Sequence, residues 1–141
     1  LFVSKNVAEG FSLPSQKYMK IYVGHSTDFD YQKNLYEPIK QSDLTKKHEF
    51  VFPHETSLDT QNKKEFYCTI NLMIAEVSYP STGLGVELGW VEDLGKEIFC
   101  VHKSDSKPSG SIKSVSDDIR TYSNTEELIG LIHSKLSELE F

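Results

Sequence analysis

The sequence predicts an α/β fold in which a parallel sheet carries helices on both faces. Three observations predict it. Short β-branched and aromatic runs recur along the chain, each ending at a glycine, a proline or a polar loop. Stretches with helical periodicity separate them. The third run, Leu72-Met73-Ile74-Ala75-Glu76-Val77, is almost continuously apolar, as a strand covered on both faces must be. Strands that alternate with helices pair in parallel through crossovers, so the class is Rossmann-like or flavodoxin-like.

Lys20-Ile21-Tyr22-Val23-Gly24 reads as the first strand, being β-branched and aromatic and stopping at a glycine. Asp28 or Asp30 supplies a cap for a helix through Leu35 and Tyr36, and Pro38 is expected to kink or end it, because its ring clashes with the carbonyl four residues back. Glu49-Phe50-Val51-Phe52 is the second strand, stopped by Pro53, with a polar loop over 54–62 and a short helix around Glu65 to Ile70. The third strand runs to Val77. A helix of roughly Gly83 to Leu94 follows, closed by Gly95. Ile98 to Val101 is the fourth strand and Ile119 to Tyr122 a short fifth. Asn124 caps the last helix, whose Leu128, Ile132, Leu136 and Leu139 form an apolar stripe.

The chain has 141 residues, enough for one core, with 38% hydrophobic and 26% charged residues, the composition of a folded domain. Its net charge of −6 argues against a nucleic-acid polymer or an anionic membrane as partner, since phosphate binding needs a basic surface. No apolar run approaches the roughly 20 residues of a membrane span. Cys68 and Cys100 fall in separate elements that the pattern buries, which argues against a disulfide and for a reducing, cytoplasmic setting. The segment from Leu1 to Tyr18 lacks periodicity, and Met19 stands directly before the first strand. The functional domain is therefore expected over 19–141, with 1–18 as an upstream arm.

Ligands of such sheets sit beyond the carboxyl ends of the strands, which selects the loops Gly24 to Asp30, Pro53 to Asn62 and Ser78 to Glu87. The third is the richest. Ser81-Thr82-Gly83-Leu84-Gly85 places hydroxyls and glycines at a helix N-terminus, where exposed N–H groups and the helix dipole favour an anion. It is neither a dinucleotide fingerprint, since Leu88 stands where the third glycine belongs, nor a Walker loop. Glu87 lies one turn into that helix, ahead of apolar Leu88, Trp90 and Val91, and its carboxylate is expected at the pocket mouth as a nucleophile. From spacing alone the plainer reading is a solvated helix glutamate that forms an i,i+4 or capping contact. His54 and Glu55 end the second strand at the same edge and offer an acid/base pair, because histidine titrates near neutrality. Gly24, His25 and Ser26 lie in the first site loop and are candidate ligand contacts. No histidine combines with cysteines or acids at metal-ligand spacing, so no metal is expected.

The block from Ile74 to Gly89, with Leu94-Gly95-Lys96 after it, resembles the signature of the nucleoside 2-deoxyribosyltransferase superfamily, and within it the 2′-deoxynucleoside 5′-phosphate N-hydrolase branch. Ile21-Tyr22-Val23-Gly24-His25-Ser26 is similar to that family's first strand, and the likeness extends over about Met19 to Leu136. The resemblance implies a five-stranded parallel Rossmann-like sheet, a homodimer or larger homo-oligomer, and cleavage of a nucleoside or nucleotide N-glycosidic bond without metal or organic cofactor. Glu87 matches the glutamate that attacks the sugar C1′, with water or a second base resolving the ester. Tyr22 matches a tyrosine that orients the glutamate, and Ser81 a serine that holds a 5′-phosphate. Gly83 and Gly85 would let the backbone approach the ligand, and Ser109 or Ser111 would reach into the neighbouring subunit's site.

Two departures stand out. The family's aspartate, 24 positions before the glutamate, is Lys63 here, and the phosphate-binding arginine after the first strand is replaced by Ser26-Thr27-Asp28-Phe29-Asp30. The substrate is then a nucleoside, or a phosphate met differently, with Lys63 or Lys64 as the available cations. The competing reading is a catalytically silent nucleotide-binding module that keeps the pocket.

Overall fold

A computed structural model describes residues 17–56 and 63–140. Most of the expected upstream arm and residues 57–62 of the second site loop lie outside those residues. Five strands, β1 (Lys20–His25), β2 (Glu49–Val51), β3 (Leu72–Glu76), β4 (Glu97–Lys103) and β5 (Ile119–Tyr122), form one sheet in the order β2-β1-β3-β4-β5. Every neighbouring pair is parallel, with Tyr22 opposite Val51 on one side and Met73 on the other. The order reverses between β1 and β3, so the crevice at their carboxyl ends is the topological switch point where such sheets bind ligands.

The two-residue period of the strands splits the core into two layers. Ile21, Val23, Leu72, Ile74, Phe99 and Val101 pack on one face against α1 (Glu37–Gln41), Leu44 of α2 (Leu44–Lys47) and α5 (Thr125–Glu138). Tyr22, Met73, Ala75, Ile98 and Cys100 pack on the other against α3 (Lys63–Tyr67) and α4 (Thr82–Asp93). Asn124 caps α5 by accepting from the Glu127 N–H at 2.8 Å, as expected. Such a cap is worth about 1 kcal/mol. Burial of Leu128, Ile132 and Leu136, at about 1.5–3 kcal/mol each, decides where the helix sits. No described helix is long and apolar enough to cross a membrane.

The structure corrects three expectations and decides between the two candidate caps of a fourth. Pro38 does not end the first helix. The turn before it is wound as a π-helix (Gln32–Tyr36), and the proline stands in the first turn of α1, where its missing N–H is not needed. Asp30, not Asp28, takes the capping contact, from the Lys33 N–H at 3.2 Å. The helix expected around Glu65 to Ile70 occupies Lys63–Tyr67, two to three residues earlier. Finally, Cys100 is buried but Cys68 is exposed, just past α3, because the segment turns out of the core there.

Candidate active site

α4 begins at Ser81, whose hydroxyl accepts from the Leu84 N–H at 3.3 Å, and ends with Gly95 at φ 71°, the left-handed turn that glycine adopts without strain. This registers the helix so that Leu84, Leu88 and Val91 face the sheet and Glu87 looks across the switch-point crevice. A cavity of about 300 Å³ opens there, lined by His25, Thr27, His54, Lys63, Ser81, Gly83, Leu84 and Glu87.

Glu87 is held from two elements of the opposite wall. The hydroxyls of Tyr22, on β1, and Tyr67, on α3, each donate to its Oε2 at 2.8 Å, and the Lys63 ammonium donates to the same oxygen at 2.7 Å. Oε1 receives no hydrogen bond from any described residue. Tyr22 and Tyr67 meet edge-on, ring centroids 5.2 Å apart. Burial, followed by the negative charge of Glu87, pushes both phenols far above their ordinary range, so both stay protonated and donate. The side chains of Lys63 and Glu87 are 24% and 13% exposed, partly withdrawn from water yet open to the cavity.

His25 closes the cavity floor. Its Nδ1 donates to the Ser26 carbonyl at 2.7 Å and its Nε2 lies 2.5 Å from the Tyr36 hydroxyl. Burial holds the ring below its usual titration range, and the Ser26 carbonyl opposes that shift only in part. The neutral imidazole therefore carries its proton on Nδ1 and accepts from Tyr36. The His54 ring lies 5.2 Å from that of His25 and 5.1 Å from that of Tyr31, forming an aromatic wall.

The remaining candidates divide. Ser81, Gly85, Ser109 and Ser111 line an adjoining hollow of about 250 Å³ with Tyr79, Thr82 and Ile112, at the N-terminus of α4. Ser109 and Ser111 stand at the edge of this hollow. Nothing lies within 4 Å of where a side chain would start at Gly83 or Gly85, which leaves their backbone open to a ligand. Gly24, Ser26 and Glu55 line neither the cavity nor the hollow. Gly24 is packed beneath α4, where an added Cβ would stand 2.5 Å from Met73 Cε. Ser26 is buried and spends its hydroxyl on the Asp28 N–H at 3.0 Å. Glu55 turns outward to pair with Lys40.

Sequence reasoning passed over Tyr67 and treated Lys63 as a departure. Their spacing, i and i+4, puts them on one face of α3, and that was the available signal. It also passed over Glu76, at the end of β3, which is 1% exposed.

No family model matches the chain. It is 28% identical to the 5-hydroxymethyl-dUMP N-hydrolase of Esox lucius, over 72% of this chain and 74% of that protein. The structure resembles that of a CMP N-glycosidase from Clostridium botulinum, with a TM-score of 0.60, 19% identity, and coverage of 81% of this chain and 98% of the other. It also resembles a conserved protein from Enterococcus faecalis V583, with a TM-score of 0.58, 16% identity, and coverage of 84% and 99%. At these identities the two structural likenesses establish the fold. The sequence relative, added to the block from Ile74 to Gly89, supports the nucleoside 2-deoxyribosyltransferase superfamily as the kinship of this chain.

Proposed function

We propose that the protein cleaves the N-glycosidic bond of a nucleoside 5′-monophosphate or nucleoside, with Glu87 as the nucleophile. The observation that carries this reading is the asymmetry of the Glu87 carboxylate: among the described residues, Oε2 accepts three hydrogen bonds and Oε1 accepts none. Oε1 is then the oxygen that meets the anomeric carbon. Oε2, fixed by Tyr22, Tyr67 and Lys63, stabilises the carboxylate each time it is expelled from the sugar ester. Water resolving that ester makes the enzyme a hydrolase, and a second base makes it a transferase. The adjoining hollow, with Ser81, Ser109 and Ser111 at the N-terminus of α4, is suited to the 5′-phosphate, in keeping with the nucleotide named for the sequence relative. The wall of His25, His54 and Tyr31 suits a stacked base. A homodimer belongs to the same reading, supported by Val86, 46% exposed, and by Trp90 one turn on along α4. Sedimentation as a dimer at micromolar concentration is the expected result.

The second reading, a silent nucleotide-binding module, is favoured by one observation, the ammonium of Lys63 paired with the carboxylate that would react. Incubation with a panel of nucleosides and 5′-monophosphates, followed by chromatography for free base, separates the two. Base release that disappears in Glu87→Gln is the enzyme's result. Tight binding of a nucleotide without base release is the module's.

A further inference from the structure

A departing nucleobase needs a proton, and few groups around the cavity have one to give. The hydroxyls of Tyr22 and Tyr67 are committed to Glu87 Oε2, and burial holds both protonated. His25 is neutral, with its single N–H turned to the Ser26 carbonyl. Lys63 is different. Its ammonium lies 2.7 Å from Glu87 Oε2, lines the cavity, and has two further N–H groups.

We infer that Lys63 is the proton carrier of the reaction, giving a proton to the leaving base and recovering one from the attacking water. The inference rests on the N-glycosidic reading above and adds a residue to it. Glu87 Oε1 bonds to C1′ as the C1′–N bond breaks and its electron pair goes to the base. Esterification removes the negative charge beside Lys63, so the ammonium loses its counter-charge as the base gains electrons, and an N–H proton passes to the base nitrogen. The neutral amine then takes a proton from the water that attacks C1′, while the C1′–Oε1 bond breaks and its electrons return to Glu87. One water is consumed, one protonated base and one sugar hydroxyl appear, and the ion pair is restored. The same contact that the module reading takes as silencing thus becomes the resting state of a proton shuttle.

The test separates proton donation from holding Glu87 in place. Base release by wild type, Lys63→Met and Lys63→Arg is measured on a nucleotide with an ordinary base and on its N7-methylated guanine counterpart, whose base departs neutral without a proton. Lys63→Met is expected to lose about 10²- to 10⁴-fold on the ordinary base, the usual worth of general acid catalysis, and about tenfold or less on the methylated one. Lys63→Arg keeps a cation beside Glu87 but does not surrender a proton, so it should show the same substrate-dependent loss. Equal losses on the two substrates, or full activity of Lys63→Arg on the ordinary base, would overturn the inference while leaving Glu87 as nucleophile. Wild type that releases base from neither would overturn the N-glycosidic reading itself.

Discussion

Two glutamates stand at the carboxyl ends of the sheet, on either side of β3, and tyrosine hydroxyls hold both. Glu76 ends β3 on the side of β4 and β5. The Ser78 N–H donates to its Oε1 at 2.8 Å, and its Oε2 accepts from the Ser78 hydroxyl at 2.8 Å and from the Tyr122 hydroxyl. Ser78 Oγ in turn accepts from the Lys103 N–H at 2.8 Å, so the cluster ties the end of β3 to the end of β4. Glu87, on the β1 side, has as many donors among the described residues, all on one oxygen, and a cavity before the other. A carboxylate whose two oxygens are both engaged and out of water fixes the backbone around it. One with a single engaged oxygen is oriented and still able to react.

Breaking the open side should have the largest effect. Glu87→Gln is expected to lower base release on the order of 10⁴-fold or more, as removal of a nucleophile does, with thermal melting close to wild type. Breaking the closed side should act on the fold instead. Glu76→Ala strands the Ser78 N–H and the Tyr122 hydroxyl in a buried site and should cost about 3 kcal/mol in urea unfolding. If the two variants lost stability equally, the distinction between the glutamates would collapse. Tyr67→Phe removes one of three donors to a charged oxygen and should slow turnover about 10- to 100-fold, at a cost in urea unfolding of about 1.5–3 kcal/mol at most.

The smallest effect concerns the floor of the open side. Burial keeps His25 neutral in the fold, and likewise His48, which accepts from the Met19 N–H at 3.2 Å. The unfolded chain takes up these protons near pH 6.5 and the folded chain does so only at lower pH. The unfolded state therefore binds more protons in that window, and stability falls as pH drops below about 6.5. The urea midpoint should be lower at about pH 5.5 than at about pH 7.5, and His25→Asn should narrow the gap. A midpoint that does not move between those values counts against a buried neutral pair.

The fold could be read because its signals are local. The short apolar runs of β1 and β4, the cap Asn124 and the helix-ending Gly95 each act within a few residues, and all stand where the sequence put them. The π-wound turn before Pro38 could not be read, since it depends on Leu35 and Tyr36 being drawn into the core. Tyr22 was named through a resemblance and Glu87 already through its place one turn into the helix, and the structure brings their side chains within 2.8 Å of each other. Lys63 and Tyr67 were lost because their meaning is tertiary: a lysine in a polar stretch looks solvated until a glutamate 24 residues away faces it. Glu76 left a fainter trace, a lone charge closing an apolar run that both faces of the sheet must bury.

The exposed cysteine has a practical consequence. The chain has two cysteines, and Cys100 is buried with its thiol pushed up to about 11, chiefly by burial, so a thiol reagent near neutral pH meets only Cys68. Cys68 directly follows Tyr67, and its carbonyl accepts from the Lys96 ammonium at 2.9 Å, across the gap to the far end of α4. A fluorophore attached there would sit one residue from a side chain that grips Glu87, without any engineered substitution. Its emission would report the α3–α4 wall as a ligand enters, so the chain carries its own attachment point for watching the crevice fill.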